Sequence, residues 1–415
     1  MLMFFILFQY ERTKHMQNFY EIDYKFATND SYTNQEQVDG LLDNYSTTHS
    51  PSRKDLLDDI KANFPVYTDQ TGKVRILGSE RALKIMNQIT DHKTDKQLSL
   101  KDLTQIDFKL IPPSTNYEMY FVEDGQNART SYNAKDTFLD NYSLAKHANY
   151  LLQNNKKQNL LNDLNDLQQT ANLSDKQATY RFIDINGTHY LRAIVSNRYK
   201  FYDNQIALYM AISIISKYSA EHKQDFILKS MTVTDSKLYA YFLEKSPIKL
   251  NKNLTIQTGL VLSNSELGDG SASFKVCYTI QDNNNNRVVG LTDQIANINH
   301  GNNPMSIEKD FKNLQLFEEQ RRDIIQAVRK VQWTKKLTRD DLDIISYLIS
   351  HMQSPLPKQL KAKMAKCIDP NKLLGKSYTL MMLFNKFNSF IQNEDPNIQL
   401  IMEARISRWL SRFVK

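Results

Sequence analysis

Cysteine is almost absent from this sequence, since Cys277 and Cys367 are the only two among 415 residues. Two cysteines provide neither a disulfide framework nor a cysteine-rich metal site. Proteins without disulfide scaffolds are typical of reducing compartments, so we expect a cytoplasmic protein.

Long apolar runs are missing as well. The N-terminal run MLMFFILFQY is too short to span a bilayer, and no basic region or small-residue cleavage site flanks it. We therefore expect no signal peptide, no transmembrane segment and no membrane partner. Met16 opens a segment with the character of an ordinary start, so residues 1–15 are predicted to be an upstream extension. A buried N-terminal strand is the alternative.

The motifs that identify common enzyme classes do not occur. The sequence has no Walker loop, no GxSxG and no GxGxxG in a strand-to-helix context, and its eight histidines lack an HExxH spacing. No residue set indicates a reaction. We predict no catalytic residue and no cofactor, and we favour a protein that is not an enzyme.

The composition is that of a globular protein, with 41% apolar and 11% aromatic residues. The net charge of +7 is unevenly distributed: residues 1–300 carry 33 basic and 34 acidic side chains, whereas residues 301–415 carry 20 and 12. A basic segment suits phosphate backbones or acidic partners. A solvated, lysine-rich helical surface is the alternative interpretation.

Hydrophobic periodicity predicts an α+β fold. We expect a central mixed or antiparallel sheet with hairpins and packed helices, followed by an all-helical C-terminal domain. The predicted organisation is an extension and flexible linker over 1–53, a mostly helical α+β region over 54–175, a strand-rich core domain over 176–303 and a basic helical domain over 304–415.

The clearest local signal is a hairpin centred on Asn186 and Gly187. Asn-Gly between two alternating runs favours a type I′ turn, because both central residues need a positive φ. The register counted from this turn places Arg181 opposite Arg192. Like charges directly opposed are destabilising, so we expect an anion or a carboxylate from elsewhere in the fold at this face.

Basic and aromatic residues alternate in and after this hairpin. Guanidinium groups contact phosphates and aromatic rings stack on bases, so the pattern predicts a nucleic-acid-binding face. The alternative is that the tyrosines complete a core edge and the arginines pair with carboxylates. The candidate binding residues are Arg181, Tyr190, Arg192, Arg198, Tyr199, Lys200 and Tyr202.

Three carboxylates are weaker candidates for a metal site. Asp203, Glu266 and Asp269 would suit Mg²⁺ if the fold brought them together, because hard cations prefer carboxylate oxygens. The segment around Glu266 also has the residues of a turn, with Gly268 and Gly270 able to adopt a positive φ. Turn formation is the favoured interpretation.

Two central segments carry a resemblance to a known family. The first segment, RAIVSNRYKFYDNQIAL, contributes Arg192, Ser196, Arg198, Tyr199, Asp203 and Asn204. The second, GLVLSNSELGDGSASFKVCYTI, contributes Gly259, Ser263, Asn264, Ser265, Glu266 and Gly268. Both resemble hallmarks of a phage/plasmid-like family named as domain of unknown function 932, and the similarity covers roughly residues 140–300. The resemblance implies that the protein is borne by a bacteriophage, prophage or plasmid in a bacterial host cytoplasm, and it implies no particular activity.

These observations together predict a non-catalytic nucleic-acid-binding protein of phage, prophage or plasmid origin, acting in replication, recombination or counter-defence. A metal-dependent enzyme that processes nucleic acid is one alternative, and a protein-binding or structural phage component is another. The sequence does not distinguish DNA from RNA or single strands from duplexes, and it leaves a homo-oligomer open.

Overall fold

The structure, a computed structural model, describes residues 18–26, 30–48, 54–89, 92–112, 116–305, 307, 315–353, 355–373 and 378–414. The expectations for Met16 and for residues 1–15 lie outside the described residues. The fold is α+β, as predicted, but it contains two sheets where one central sheet was expected.

The strands are β1 (Glu21–Lys25), β2 (Ile76–Leu77), β3 (His92–Leu98), β4 (Leu103–Leu110), β5 (Tyr117–Glu123), β6 (Gln126–Thr130), β7 (Ala178–Ile185), β8 (Thr188–Val195), β9 (Phe226–Thr234), β10 (Lys237–Glu244), β11 (Ile248–Lys249), β12 (Leu254–Ser265), β13 (Ala272–Asp282) and β14 (Arg287–Ile298). The larger sheet has the order β1-β9-β10-β12-β13-β14, with β2 on β9 and β11 on β12. The smaller sheet has the order β3-β7-β8-β6-β5-β4, and its β6–β8 pair is parallel.

The helices in the described part of the chain are α1 (Gln35–Thr48), α2 (Lys54–Asn63), α3 (Ser79–Gln88), α4 (Ala134–Asn141), α5 (Ala145–Gln153), α6 (Lys157–Gln168), α7 (Ala171–Ser174), α8 (Asn204–His222), α9 (Gln315–Lys330), α10 (Arg339–Ser350), α11 (Lys358–Cys367), α12 (Pro370–Leu373), α13 (Leu380–Ile391) and α14 (Pro396–Leu410). None of the described helices has the length and apolar character needed to cross a membrane.

Each sheet has its own hydrophobic core. The larger core joins α1–α3, α8, the larger sheet and the C-terminal helices. The smaller core joins the smaller sheet to α4–α6. Residues 54–175 therefore contribute to both cores, and the C-terminal helices share theirs with the larger sheet. The division into separately folding domains stays a prediction.

Helix α1 corrects the expectation of a flexible linker over residues 28–53. Val38, Leu41, Leu42 and Tyr45 recur at helical spacing and are at most 1% exposed. The side chain of Asn34 accepts a hydrogen bond from the backbone N–H of Gln37, which satisfies a free donor at the start of the helix. Polar residues separate these apolar positions, so their helical spacing was not recognised from the sequence.

The hairpin of β7 and β8 forms where it was predicted. Asn186 and Gly187 have φ values of 50° and 75°, as a type I′ turn requires. The register follows the prediction from Ile185 to Phe182 and then shifts at a bulge, so that Arg181 pairs with Ala193. The predicted direct opposition of Arg181 and Arg192 is therefore wrong, because a bulge inserts one extra residue into one strand.

Candidate functional site

Six charged side chains meet between the two sheets. They come from β3, β7, β8, the residue before α8 and the residue after β12, and every one has a side chain at most 6% exposed. We call this group the buried ionic cluster; its members are Lys93, Asp95, Arg181, Arg192, Asp203 and Glu266.

Arg181 is held on every side of its guanidinium group. Its Nη2 donates to both carboxylate oxygens of Asp203 at 2.9 and 2.7 Å, and its Nε donates to Asp95 at 3.1 Å. Its Nη1 donates to the backbone oxygen of Glu266 at 2.8 Å. Burial opposes the charge, but the two carboxylates outweigh it and raise the pKa of Arg181 further above its ordinary value.

Glu266 is the acceptor at the centre of the cluster. Its Oε2 accepts from Arg192 Nη1 at 2.7 Å and lies 3.1 Å from Lys93 Nζ, and its Oε1 accepts from the backbone N–H of Asn204 at 3.0 Å. Burial raises the pKa of this carboxyl, but the neighbouring cations prevail and hold it below its ordinary value. Glu266 thus also satisfies a free N–H at the start of α8.

This geometry corrects the expected exposed Arg/Tyr face. Arg181 and Tyr202 are 0% exposed and Arg192 is 1% exposed. The arginines are paired with carboxylates of the same chain, and the hydroxyl of Tyr202 donates to the backbone oxygen of Asn302 at 2.7 Å. Buried charges require such partners, so Arg181 and Arg192 join the two sheets, and none of these three side chains lies on the surface.

The other four candidates lie in two places: Tyr190 is in β8, and Arg198, Tyr199 and Lys200 follow one another in the loop between β8 and α8. Tyr190 is half-buried between the ring of Phe19, 4.4 Å away, and the guanidinium group of Arg129, 4.5 Å from its ring centroid. Tyr199 stacks on His300 with ring centroids 4.4 Å apart.

Arg198 is exposed and Lys200 is half-buried in the same loop between β8 and α8. Tyr190 belongs to the strand before that loop, so the seven predicted residues do not form one binding face.

The carboxylates proposed as metal ligands do not form a metal site. Asp203 and Glu266 are engaged by cations, and Asp269 accepts a hydrogen bond from the hydroxyl of Ser265 at 2.5 Å. Among the residues that the structure describes, no group of three His, Cys, Asp or Glu side chains is arranged to hold a metal ion.

The two segments that carry the family resemblance fold against each other. Asn264 donates through Nδ2 to the side-chain oxygen of Asn204 at 3.0 Å and to the backbone oxygen of Tyr202 at 3.1 Å. Gly268 has a φ of 75°, and a Cβ there would lie 2.9 Å from Val195. These residues, with Arg192 and Glu266, build the junction between the sheets.

Lys93 and Asp95 were not identified from the sequence. They lie two apart in β3, and residues two apart point to the same face of a strand. The run HKTDKQL is polar up to its last residue, Leu98, which favours neither a buried strand nor a helix. Only the alternation of opposite charges could have indicated that both side chains point to one buried site.

The basic side chains of the C-terminal helices form the second candidate site. Arg321 pairs with Glu244 at 2.5 Å, and Arg339 lies 3.5 Å from Asp343. A larger set is exposed and makes no ion pair with the residues that the structure describes. We call this set the basic helical surface; it comprises Arg329, Lys330, Lys335, Lys336, Lys358, Lys363, Lys366, Lys386, Arg408 and Arg412.

Several of these groups are brought together by the packing of the last helices. Val331 forms a backbone bridge with Val414, and Lys336 forms one with Thr379, so the end of α9 lies beside the chain terminus. Burial and the adjacent charge of Arg408 lower the pKa of Arg405. Positive charge is therefore concentrated along this part of α14 and the turn that follows it.

No protein-family model, no curated protein and no solved structure matches this chain. The relationship to the phage/plasmid-like family stays a prediction.

Proposed function

We propose that this chain binds nucleic acid without catalysing a reaction on it, and that the basic helical surface contacts the phosphate backbone. The observation that carries the proposal is the set of exposed, unpaired cations on α9, α11, α13 and α14 and in the adjoining turns. The buried ionic cluster has a different role, because its charged side chains pair with one another inside the fold.

Phosphate contacts of this kind supply affinity more than sequence selectivity. A protein that places lysine and arginine along a nucleic acid releases condensed counterions, so its affinity falls as salt concentration rises. Contacts to the backbone fix the position of the protein, whereas base contacts determine sequence preference. We therefore propose binding with a strong salt dependence and little dependence on sequence.

The setting of this activity is also a proposal. The resemblance of residues 140–300 supports an origin in a phage, prophage or plasmid, where replication, recombination and counter-defence all require nucleic-acid binding. Two free cysteines and the absence of a disulfide framework support the cytoplasm of a bacterial host.

Point substitutions test the proposal better than removal of the helices, because those helices share a core with the larger sheet. The triple variant R329Q/R408Q/R412Q removes three charges of the basic helical surface, from the end of α9, from α14 and from the turn that follows α14. Arg339→Gln is the matched control, because it removes an exposed arginine that is already near a carboxylate.

At low salt the triple variant should bind a fluorescent oligonucleotide at least tenfold more weakly than the wild type, and Arg339→Gln should bind as the wild type does. Equal affinities for the triple variant and the wild type would refute the assignment of this surface.

A further inference from the structure

An exposed aromatic side chain interrupts the charged surface of α10. Tyr347 is 62% exposed, the largest fraction among the large apolar side chains that the structure describes. The ring of His351 lies one turn further along, with ring centroids 4.0 Å apart and an interplanar angle of 35°. Ile344, 39% exposed, lies one turn before Tyr347.

Basic groups are fixed at the end of this aromatic strip. Lys361 Nζ donates to the backbone oxygen of Ser350 at 2.6 Å, which holds the ammonium group next to His351. Arg405 Nη2 donates to the backbone oxygen of Gln353 at 3.3 Å. Backbone carbonyls orient both cations but do not neutralise them.

The three acidic groups of α10, Asp340, Asp341 and Asp343, all lie within its first five residues, away from the end that carries His351. Asp341 is turned back to Thr338, where it accepts from the backbone N–H and the hydroxyl in a capping box. Asp343, four residues before Tyr347, lies 3.5 Å from Arg339. The end of α10 that carries the rings thus presents an apolar surface bordered by positive charge.

A lone exposed tyrosine needs no special explanation, and a larger apolar patch suits a protein partner. Here the apolar surface is narrow and aromatic, and cations border it, so it complements a partner that offers flat rings and negative charges. Bases stack on aromatic side chains while basic groups follow the backbone in proteins that bind single strands. The bases of a duplex are stacked on one another and are not available to Tyr347.

We infer that the chain binds single-stranded nucleic acid and that Tyr347 and His351 form a stacking platform for its bases. This inference rests on the proposed function. It specifies single-stranded nucleic acid as the ligand, and it assigns a role to Tyr347, which is not part of the basic helical surface.

The test compares a single-stranded oligothymidylate with a blunt duplex of equal length. Tyr347→Ala should weaken single-strand binding by roughly 5- to 150-fold, the range that corresponds to one stacked base, and leave duplex binding unchanged. Tyr347→Phe should bind as the wild type does, because it keeps the ring. Tyr150→Ala is the matched control, since Tyr150 is 56% exposed on α5, a helix that packs into the other core through different residues.

The outcomes separate the two proposals. If the wild type binds single strands and Tyr347→Ala binds them with the same affinity, the stacking platform is overturned and the proposal for the basic helical surface is unaffected. An equal loss for single strand and duplex would also overturn it. Wild-type protein that binds neither nucleic acid would refute the proposed function itself. Unaltered thermal melts of the Tyr347 variants would exclude misfolding as the cause of a loss.

Discussion

Arg192 donates a hydrogen bond to Glu266 across 74 residues of sequence, with an Nη1–Oε2 distance of 2.7 Å and both side chains fully enclosed. One residue lies on the smaller sheet and the other follows a strand of the larger sheet. The pair therefore joins the two halves of the protein, and each of the two buried charges is stabilised by the other.

Arg192→Gln should destabilise the fold by about 3–5 kcal/mol, because the carboxylate of Glu266 stays buried but loses the guanidinium group that pairs with it. Chemical denaturation of the variant and the wild type measures this difference. Arg198→Gln, an exposed change six residues away, is the control and should change the free energy of unfolding by less than about 0.5 kcal/mol. A variant at position 192 as stable as the wild type would contradict the role given to the cluster.

Glu403 predicts a pH dependence of stability. Burial raises the pKa of this carboxyl to about 7, although the Tyr241 hydroxyl, 3.1 Å away, partly opposes the shift. The folded state holds the proton of Glu403 more tightly than the unfolded state does. Proton binding at Glu403 therefore stabilises the fold fully below pH 4.5, and this contribution is lost as the pH rises to 7.

Glu403→Gln keeps a neutral group of similar shape and should remove this dependence. As the pH rises from 4.5 to 8, the free energy of unfolding of the variant should increase by on the order of 3 kcal/mol relative to that of the wild type. Denaturation at a series of pH values checks this. Parallel stability profiles for the two proteins would show that position 403 does not titrate with a raised pKa.

Gly40 offers a direct test of α1, which lies in the segment expected to be a linker. A Cβ at this position would meet nothing within 4 Å. Alanine is favoured over glycine inside a helix by about 1 kcal/mol, so Gly40→Ala should stabilise the protein by up to that amount. An unchanged melting temperature would indicate that residues 35–48 are not helical in solution.

The parts of the fold that sequence patterns predicted are those with local signals. Asn186 and Gly187 determine their turn through backbone conformation. This turn needs no information from distant residues.

The candidate site depended on contacts that local patterns do not encode. The bulge beside Arg192 changed its partner, and Lys93 reaches Glu266 from a strand in which every residue except Leu98 is polar. The sequence therefore predicted that Arg181 and Arg192 needed counter-charges, but not which carboxylates provide them. The excess of basic residues after residue 300 was visible from composition alone, and the fold was needed to separate paired from unpaired charges.

The salt dependence of nucleic-acid binding tests the central proposal most directly. The logarithm of affinity should fall linearly with the logarithm of salt concentration, with a slope of about −0.7 to −0.9 for each phosphate contacted. R329Q/R408Q/R412Q should reduce the steepness by about 2–3 if each arginine contacts a phosphate, whereas Arg339→Gln should leave it unchanged. Identical slopes for the triple variant and the wild type would contradict the account, because these charges would then belong to a solvated surface that contacts no phosphate.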